Sequence, residues 1–338
     1  MTARPRLRQS APRVVGNWRL TRGVKRCVQT QIIDGPATSI RRVHAIINPA
    51  SGGVGPRAAD EMTAVLAEFG LDHHVSELAA GEIESAVRAS IDAGPDLIVV
   101  LGGDGTTRLV AEMCGPQGPL VAPLSGGTMN KLYGALYGTR PWREAVFGAL
   151  ERGEERWVPG GEVNGRAFYC SAVLGSPALW ARAREAVRER RFVRAWRHGM
   201  IAFRRAFMAR PRYEFDSREV GRGMAIGLIC PTVSRALDAE EKALEAAVLD
   251  LRDARAGARF ILNHLFGDWR DDPDVTVRNC VSGRAWARDS IPGMLDGEFF
   301  RFGRQVEMRF RPHAFRALAP APDPENEPEN DQELERAP

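Results

Sequence analysis

The stretch VVLGGDGTTRLVAEM (99–113) decides how this chain is organised. The residues before it complete an apolar run, DLIVVL (96–101), of the kind that forms a strand buried on both faces of a parallel sheet. Two glycines, an aspartate and a third glycine interrupt it, and helical spacing resumes over 106–114. Strand, tight turn and helix therefore follow one another without slack. In open α/β sheets ligands collect outside the carboxyl ends of strands. The helix start offers unpaired N–H groups and partial positive charge, which suit a phosphate. Glycine lets the backbone approach closely. Asp104 beside a phosphate would be repelled unless a divalent cation bridged the two. The bland alternative is a helix cap, because Asp or Thr after a glycine turn is a common N-cap.

Outward from this stretch, strand and helix alternate. VHAII (43–47) reads as a strand ending at Asn48-Pro49, 56–69 as a helix stopped by Gly70, and LDHHV (71–75) as a second strand. A helix over 81–93 leads into the strand 96–101. PLVAPL (119–124) is a fourth strand, with a helix near 129–137. Short links between alternating elements are the pattern of a parallel sheet covered by helices. The rhythm changes after about residue 155. A hairpin is expected at Asn164-Gly165, with short strands at 212–216, 223–230, 258–262, 274–281, 283–288 and 306–310. The expected fold class is α/β plus all-β. It comprises a basic tail (1–42), an α/β domain (43–155), an antiparallel β domain (156–319) with a helical insertion (178–210), and an acidic tail (320–338).

Charge follows the same division. The chain has 338 residues and a net charge of +4, but residues 1–42 carry ten Arg/Lys against one acid, Asp34. The last nineteen residues carry seven Asp/Glu and one Arg. Neither end is apolar enough to bury a core, so mobile tails are expected. No run reaches the roughly 18–20 apolar residues that span a bilayer. The five cysteines (27, 114, 170, 230, 280) are scattered without metal-ligand spacing, which favours a reducing cytoplasm. The segment 180–212 holds eleven Arg and two Glu, with Phe192, Trp196, Met200, Phe203 and Phe207 on one helical stripe. It can dock its stripe on the core or lie on an anionic membrane surface. No nucleic-acid recognition motif accompanies it, so nucleic acid is not an expected partner. A homodimer is compatible with the sequence. His73 and His74 alternate faces in a strand and read as structural.

Two further loops occupy equivalent strand ends: Asn48-Pro49-Ala50-Ser51-Gly52-Gly53 and Ser125-Gly126-Gly127-Thr128-Met129-Asn130. None of the three is a GxxxxGK[ST] or GxGxxG fingerprint. Far downstream stands LDGE (295–298), which alone would read as an Asp-Gly hairpin turn.

NPASGG, GGDGT, GGTMN and LDGE, in this order, resemble the diacylglycerol kinase catalytic-domain family, which includes bacterial lipid kinases, sphingosine kinases and ceramide kinases. The resemblance covers roughly residues 43–318. It implies an α/β domain and a β-sandwich that close on ATP and Mg²⁺. By position, Asn48, Ser51 and Gly52 fall in the first nucleotide loop. Gly102, Gly103, Asp104, Gly105 and Thr106 form the Mg-ATP motif, and Gly127, Thr128 and Asn130 the third loop. Asp296 matches the family's candidate general base, with Glu298 beside it. The sequence departs from the family at Ser125 (usually Pro), Lys131 (usually Asp), Leu109 (usually Glu) and WVPGGE (157–162, often with an Asp). Residues 229–250 lack the family's Asn and Asp-Asp-Gly pattern, so no second metal site is expected.

The resemblance implies an ATP- and Mg²⁺-dependent lipid kinase, cytoplasmic and peripheral to the inner face of the membrane. Diacylglycerol is the default substrate and a ceramide or sphingoid base the alternative. A catalytically weak nucleotide- or lipid-binding regulator is the competing class. An NAD kinase is disfavoured by the presence of LDGE and the lack of that family's Asn-Glu motif.

Overall fold

The structure, a computed structural model, describes residues 40–78, 81–175, 210–237, 241–251, 256 and 268–320. The expected insertion over 178–210, apart from Arg210, the strand over 258–262 and the bulk of both tails lie outside these residues. In chain order the first half runs β1 (Arg42–Ile47), α1 (Ala58–Glu68), β2 (Asp72–Glu77), α2 (Ile83–Asp92), β3 (Leu97–Gly102), α3 (Asp104–Cys114), β4 (Leu120–Ser125), α4 (Lys131–Tyr137) and α5 (Trp142–Arg152). The second half is built from β5 (Gly153–Val163), β6 (Arg166–Phe168), β7 (Ser171–Gly175), β8 (Arg212–Phe215), β9 (Glu219–Arg222), β10 (Ala225–Ile229), β11 (Leu244–Leu249), β12 (Val275–Cys280), β13 (Ser282–Trp286), β14 (Pro292–Leu295), β15 (Glu298–Arg301) and β16 (Gln305–Pro320).

The first four strands are parallel in the order β2-β1-β3-β4. All six residues of β3 are buried, as expected for a strand covered on both faces. Phe69, which ends α1, packs its ring 4.9 Å from Phe147 of α5, so these two helices share one face of the sheet. The strand order carries a functional consequence. The chain leaves β1 towards β2 on one side, then leaves β3 towards β4 on the other. A crevice must open outside the carboxyl ends of β1 and β3, where the connections diverge.

The remaining strands form antiparallel layers. β12-β11-β10-β7-β14-β15 make a separate six-stranded sheet. β13, β8 and β9 continue the first sheet through β16, the long last strand. β16 pairs with β13 at its start, runs beside β5 for most of its length, and meets β4 in parallel at Ala317↔Val121. Side chains secure that return. Tyr137 Oη donates to Leu318 O at 2.5 Å, and Arg316 Nη2 donates to Gly118 O at 2.7 Å. Two main apolar cores result. One lies around β1, β3, β4 and their helices, and the other is built from Phe168, Leu174, Ile226, Leu244, Leu295 and Phe310 between the antiparallel layers.

Several elements differ from the expected pattern, among them α5, β9, β11, β14, β15 and β16. The strand expected over 306–310 extends to Pro320, because a register shift between Arg311 and Phe315 absorbs Pro312, whose missing N–H would otherwise break the ladder. β11, LEAAVL, is not among the expected strands. Its composition favours a helix, but its first five residues are buried and it pairs with both β10 and β12. Tertiary contact here overrides propensity. His74 also has a partner that strand alternation could not suggest: His44, opposite it in the β1–β2 register, with ring centroids 5.3 Å apart.

Among the described residues no helix is long and apolar enough to cross a membrane.

Candidate active site

The three glycine loops meet in the crevice at the ends of β1, β3 and β4, and are stitched together mostly through the backbone. Gly53 N donates to Gly126 O at 2.9 Å, and Gly126 N donates to Gly102 O at 2.9 Å. Ser51 Oγ accepts the Gly103 N–H at 3.0 Å. Asn48 reaches 58 residues along the chain to give its Nδ2 hydrogen to Thr106 Oγ1 at 2.8 Å. Its Oδ1 accepts the Ala50 N–H. Asn130, in the left-handed region at φ 45°, turns its side chain back on Gly127, accepting from N and donating to O.

Asn48, Ser51, Thr106 and Asn130 thus hold the cradle's shape. Gly52, Gly103 and Gly105 supply backbone, and Thr128 is exposed at the rim. The glycines at the seam are there because the loops touch. A Cβ on Gly126 would fall 2.8 Å from Gly102 N, and one on Gly127 would fall 2.7 Å from Gly103 Cα.

Asp104 opens α3, whose N-cap residue is Gly103 and whose N-terminus has no side-chain cap. Its side chain points to the neighbouring helix start, where Oδ1 accepts the Lys131 N–H at 3.1 Å. Capping, the bland reading of Asp104, is therefore realised on α4 rather than on its own helix. Burial pushes the Asp104 carboxyl above the ordinary carboxylate range, against the lowering effect of the Lys131 amide and ammonium. A desolvated carboxylate beside an uncapped helix start fits a Mg²⁺–phosphate group well. Such an ion needs only one or two protein carboxylates when phosphate and water complete its shell, and the bare α3 N-terminus suits the phosphate.

LDGE is a hairpin turn and more than a hairpin turn. Asp296 (φ 44°) and Gly297 (φ 90°) link β14 to β15, the Asp-Gly geometry that two-residue hairpins favour. The Asp296 carboxylate then faces inward. Oδ2 accepts the Tyr169 N–H at 2.7 Å, and Oδ1 accepts those of Cys170 and Ser171 at 2.9 and 2.8 Å. Three amide donors stabilise the ionised form, yet burial outweighs them and the carboxyl is pushed up to about 6. The carboxylate lies deep among protein atoms, while the residue as a whole keeps partial solvent contact at the turn. A carboxylate has about four acceptor positions, so one remains on Oδ2.

Cys170 lies beside Asp296, whose Oδ1 accepts its N–H. Burial first, then the charges of Asp296 and Asp104, hold the Cys170 thiol well above the ordinary range. Glu298 sits beside the cradle too: a Cβ on Gly105 would fall 2.5 Å from Glu298 Oε1. Its other oxygen is engaged by Arg108 Nη2 at 2.7 Å. Arg108, Glu112 and the 169–171 amides are site components that the sequence reading passed over. Only the i,i+4 spacing of Arg108 and Glu112 could have signalled them. The amides are invisible in side-chain motifs.

A family profile describing the diacylglycerol kinase catalytic domain matches residues 42–163, from β1 to the end of β5. The fold is similar to that of a diacylglycerol kinase from Bacillus anthracis strain Sterne, with 17% sequence identity and a TM-score of 0.60, covering 85% of this chain and 99% of that one. Two presumed diacylglycerol kinases from the same organism align at 19% and 20% identity, both with TM-score 0.61. They cover 85% and 83% of this chain and 99% and 98% of their own. No curated protein matches the sequence.

Proposed function

We propose that this chain, whose residues 42–163 match the diacylglycerol kinase catalytic-domain family, transfers the γ-phosphoryl group of ATP to a lipid hydroxyl, with diacylglycerol as the default acceptor. One observation carries the reading. A three-loop glycine cradle and a buried, amide-oriented carboxylate, from opposite halves of the chain, are brought together where Glu298, two residues past Asp296, lies against Gly105. Phosphoryl transfer needs positioning and charge neutralisation more than covalent help, and this arrangement offers both.

The loops 48–53, 102–106 and 126–130 would bind the phosphates through backbone N–H groups, with Asp104 the protein ligand toward Mg²⁺. Bound Mg²⁺ supplies neutralisation of the phosphate charge. Asp296 would receive the proton of the acceptor hydroxyl on the remaining position of Oδ2. A group titrating near 6 is ionised at neutral pH yet basic enough to accept that proton during attack. The basic segment 180–212 would bring the cleft to an anionic membrane surface on the cytoplasmic side, which is where a lipid acceptor would be met.

The test is transfer of labelled phosphate from ATP to diacylglycerol, ceramide, sphingosine and monoacylglycerol presented in anionic vesicles. Transfer to diacylglycerol above the others is the expected result, and preference for ceramide or sphingosine selects the alternative acceptor. ATP binding without transfer to any lipid would defeat the kinase reading and leave the regulator.

Asp104→Asn is expected to lower kcat/KM for MgATP by about 10²-fold or more, from loss of charge where charge is neutralised. Melting should barely move, because asparagine can still accept the Lys131 amide. Unchanged kcat/KM would remove Asp104 from the metal-nucleotide site.

A further inference from the structure

Arg108 belongs to neither the glycine loops nor LDGE, yet it joins them. It lies in the second turn of α3, and its side chain is 6% exposed. Nη1 donates to Glu112 Oε2 at 2.6 Å, one turn along the helix. Nη2 donates to Glu298 Oε2 at 2.7 Å, across 190 residues. The guanidinium carbon stands 5.5 Å from the Phe300 ring centroid, on the strand that Glu298 begins. Glu112 is fixed in turn, because its Oε1 accepts the Ala167 N–H at 3.0 Å just ahead of the 169–171 amides. Arg108 therefore touches α3, the β14–β15 turn and, through Glu112, β6.

We propose that Arg108 is the positioning residue that clamps the Asp296–Glu298 turn onto the first turn of α3, and so sets the register between the phosphate cradle and the proton-accepting carboxylate. The planar fork suits this task, since one guanidinium can hold two carboxylates in fixed directions. An electrostatic need points the same way. Glu298 lies against Gly105, in the turn that would face phosphate, and an uncompensated carboxylate there would repel it. Arg108 offsets that charge without entering the cradle. A Cβ at Gly105 would force the Glu298 carboxylate to shift. The catalytic consequence rests on the kinase reading above; the clamp itself does not.

The charges around Asp296 make the idea measurable. Tyr169, Cys170 and Cys230 also face it, and burial raises the titration of all three, so they stay neutral through the physiological range. Arg108 is the positive charge that acts on Asp296, in the lowering direction. Removing it must move the Asp296 titration upward.

Three variants of the full chain test this: Arg108→Gln, Arg108→Lys and Glu298→Gln. Amide hydrogen exchange at 169–171 and a carboxyl NMR titration of Asp296 need no activity. Transfer kinetics give the third readout. In Arg108→Gln the 169–171 amides are expected to exchange faster and the Asp296 midpoint to rise. The acid limb of kcat should follow it, and kcat should fall about 10²-fold from misplacement of the reacting groups, with KM for MgATP little changed. Arg108→Lys should restore the midpoint, because charge returns, but not the exchange protection, because the fork does not. Glu298→Gln, made at a half-exposed side chain that folding tolerates, should loosen the amides without raising the midpoint.

Unchanged exchange and an unchanged midpoint in both Arg108→Gln and Glu298→Gln would overturn the clamp. Should Arg108→Gln fail to fold, Glu298→Gln decides through exchange alone. If the amides and midpoint respond but the wild-type protein phosphorylates no lipid, the clamp stands and the kinase reading falls.

Discussion

Asp296→Asn is expected to lower the turnover of phosphate transfer to lipid by about 10²–10⁴-fold, the range that a general base contributes, while nucleotide affinity stays near that of the wild type. Asparagine keeps a carbonyl oxygen for the Cys170 and Ser171 amides, but sets an NH₂ group against the Tyr169 N–H, which Oδ2 now accepts. That leaves one buried donor unmet, at about 1–3 kcal/mol, and release of a desolvated charge offsets part of it. Near-normal turnover in this variant would take Asp296 out of the proton transfer.

The same residue fixes a pH signature. Asp296 titrates at about 6 against an ordinary 3.8, so between those values the folded state binds more protons than the unfolded one. Stability is therefore fully present below about pH 4 and declines as pH rises through 6. Activity runs the other way, because the base must be ionised: turnover falls about tenfold per unit below the midpoint. The Asp296 contribution to wild-type melting temperature should thus drop between pH 4 and 6 while activity climbs, and Asp296→Asn should remove that component from both curves. Were the wild-type activity flat down to pH 4.5, another group would have to accept the proton.

The part of the site that was legible in the sequence is the part written in backbone. Glycines at strand ends betray loops that must touch, and the seam at Gly102, Gly126 and Gly127 is what they describe. β3 was equally plain, because a strand buried on both faces has to be continuously apolar. The crevice could not be read from one strand. It follows from the order β2-β1-β3-β4, a relation between connections. The inward turn of Asp296 was hidden for a different reason. Asp-Gly satisfies hairpin geometry whichever way the carboxylate points, and its three partners are amides of residues 169–171. Arg108 was hidden by distance, since its decisive partner lies 190 residues away. Secondary structure failed where tertiary context won: in LEAAVL, which two neighbouring strands hold extended, and in β16, where a bulge carries the chain past Pro312.

Gly126→Ala should be among the most damaging single methyls in the cradle. The new Cβ would lie 2.8 and 2.9 Å from Gly102 N and Cα, and 2.7 Å from Val54 Cγ2. Val54 can rotate away, but Gly102 cannot. It is the last residue of β3, registered with Ser125 and bonded through its carbonyl to Gly126 N. Relief must come from parting the first sheet's β3 and β4 loops, which costs about 1–3 kcal/mol as overpacking and breaks the Gly126 N–Gly102 O bond besides. The loss falls on function as well as melting, since the widened seam misaligns the N–H groups that would grip phosphate. A shift of about 1 Å is enough to cost about 10²-fold in rate. Gly52→Ala is the control. Its Cβ would meet nothing within 4 Å, so its melting temperature should match the wild type. The seam account requires Gly126→Ala to lose both stability and MgATP-dependent transfer. A Gly126→Ala protein that melts and turns over like the wild type would mean that the three loops are not held in mutual contact, and that the cradle does not exist as a rigid unit.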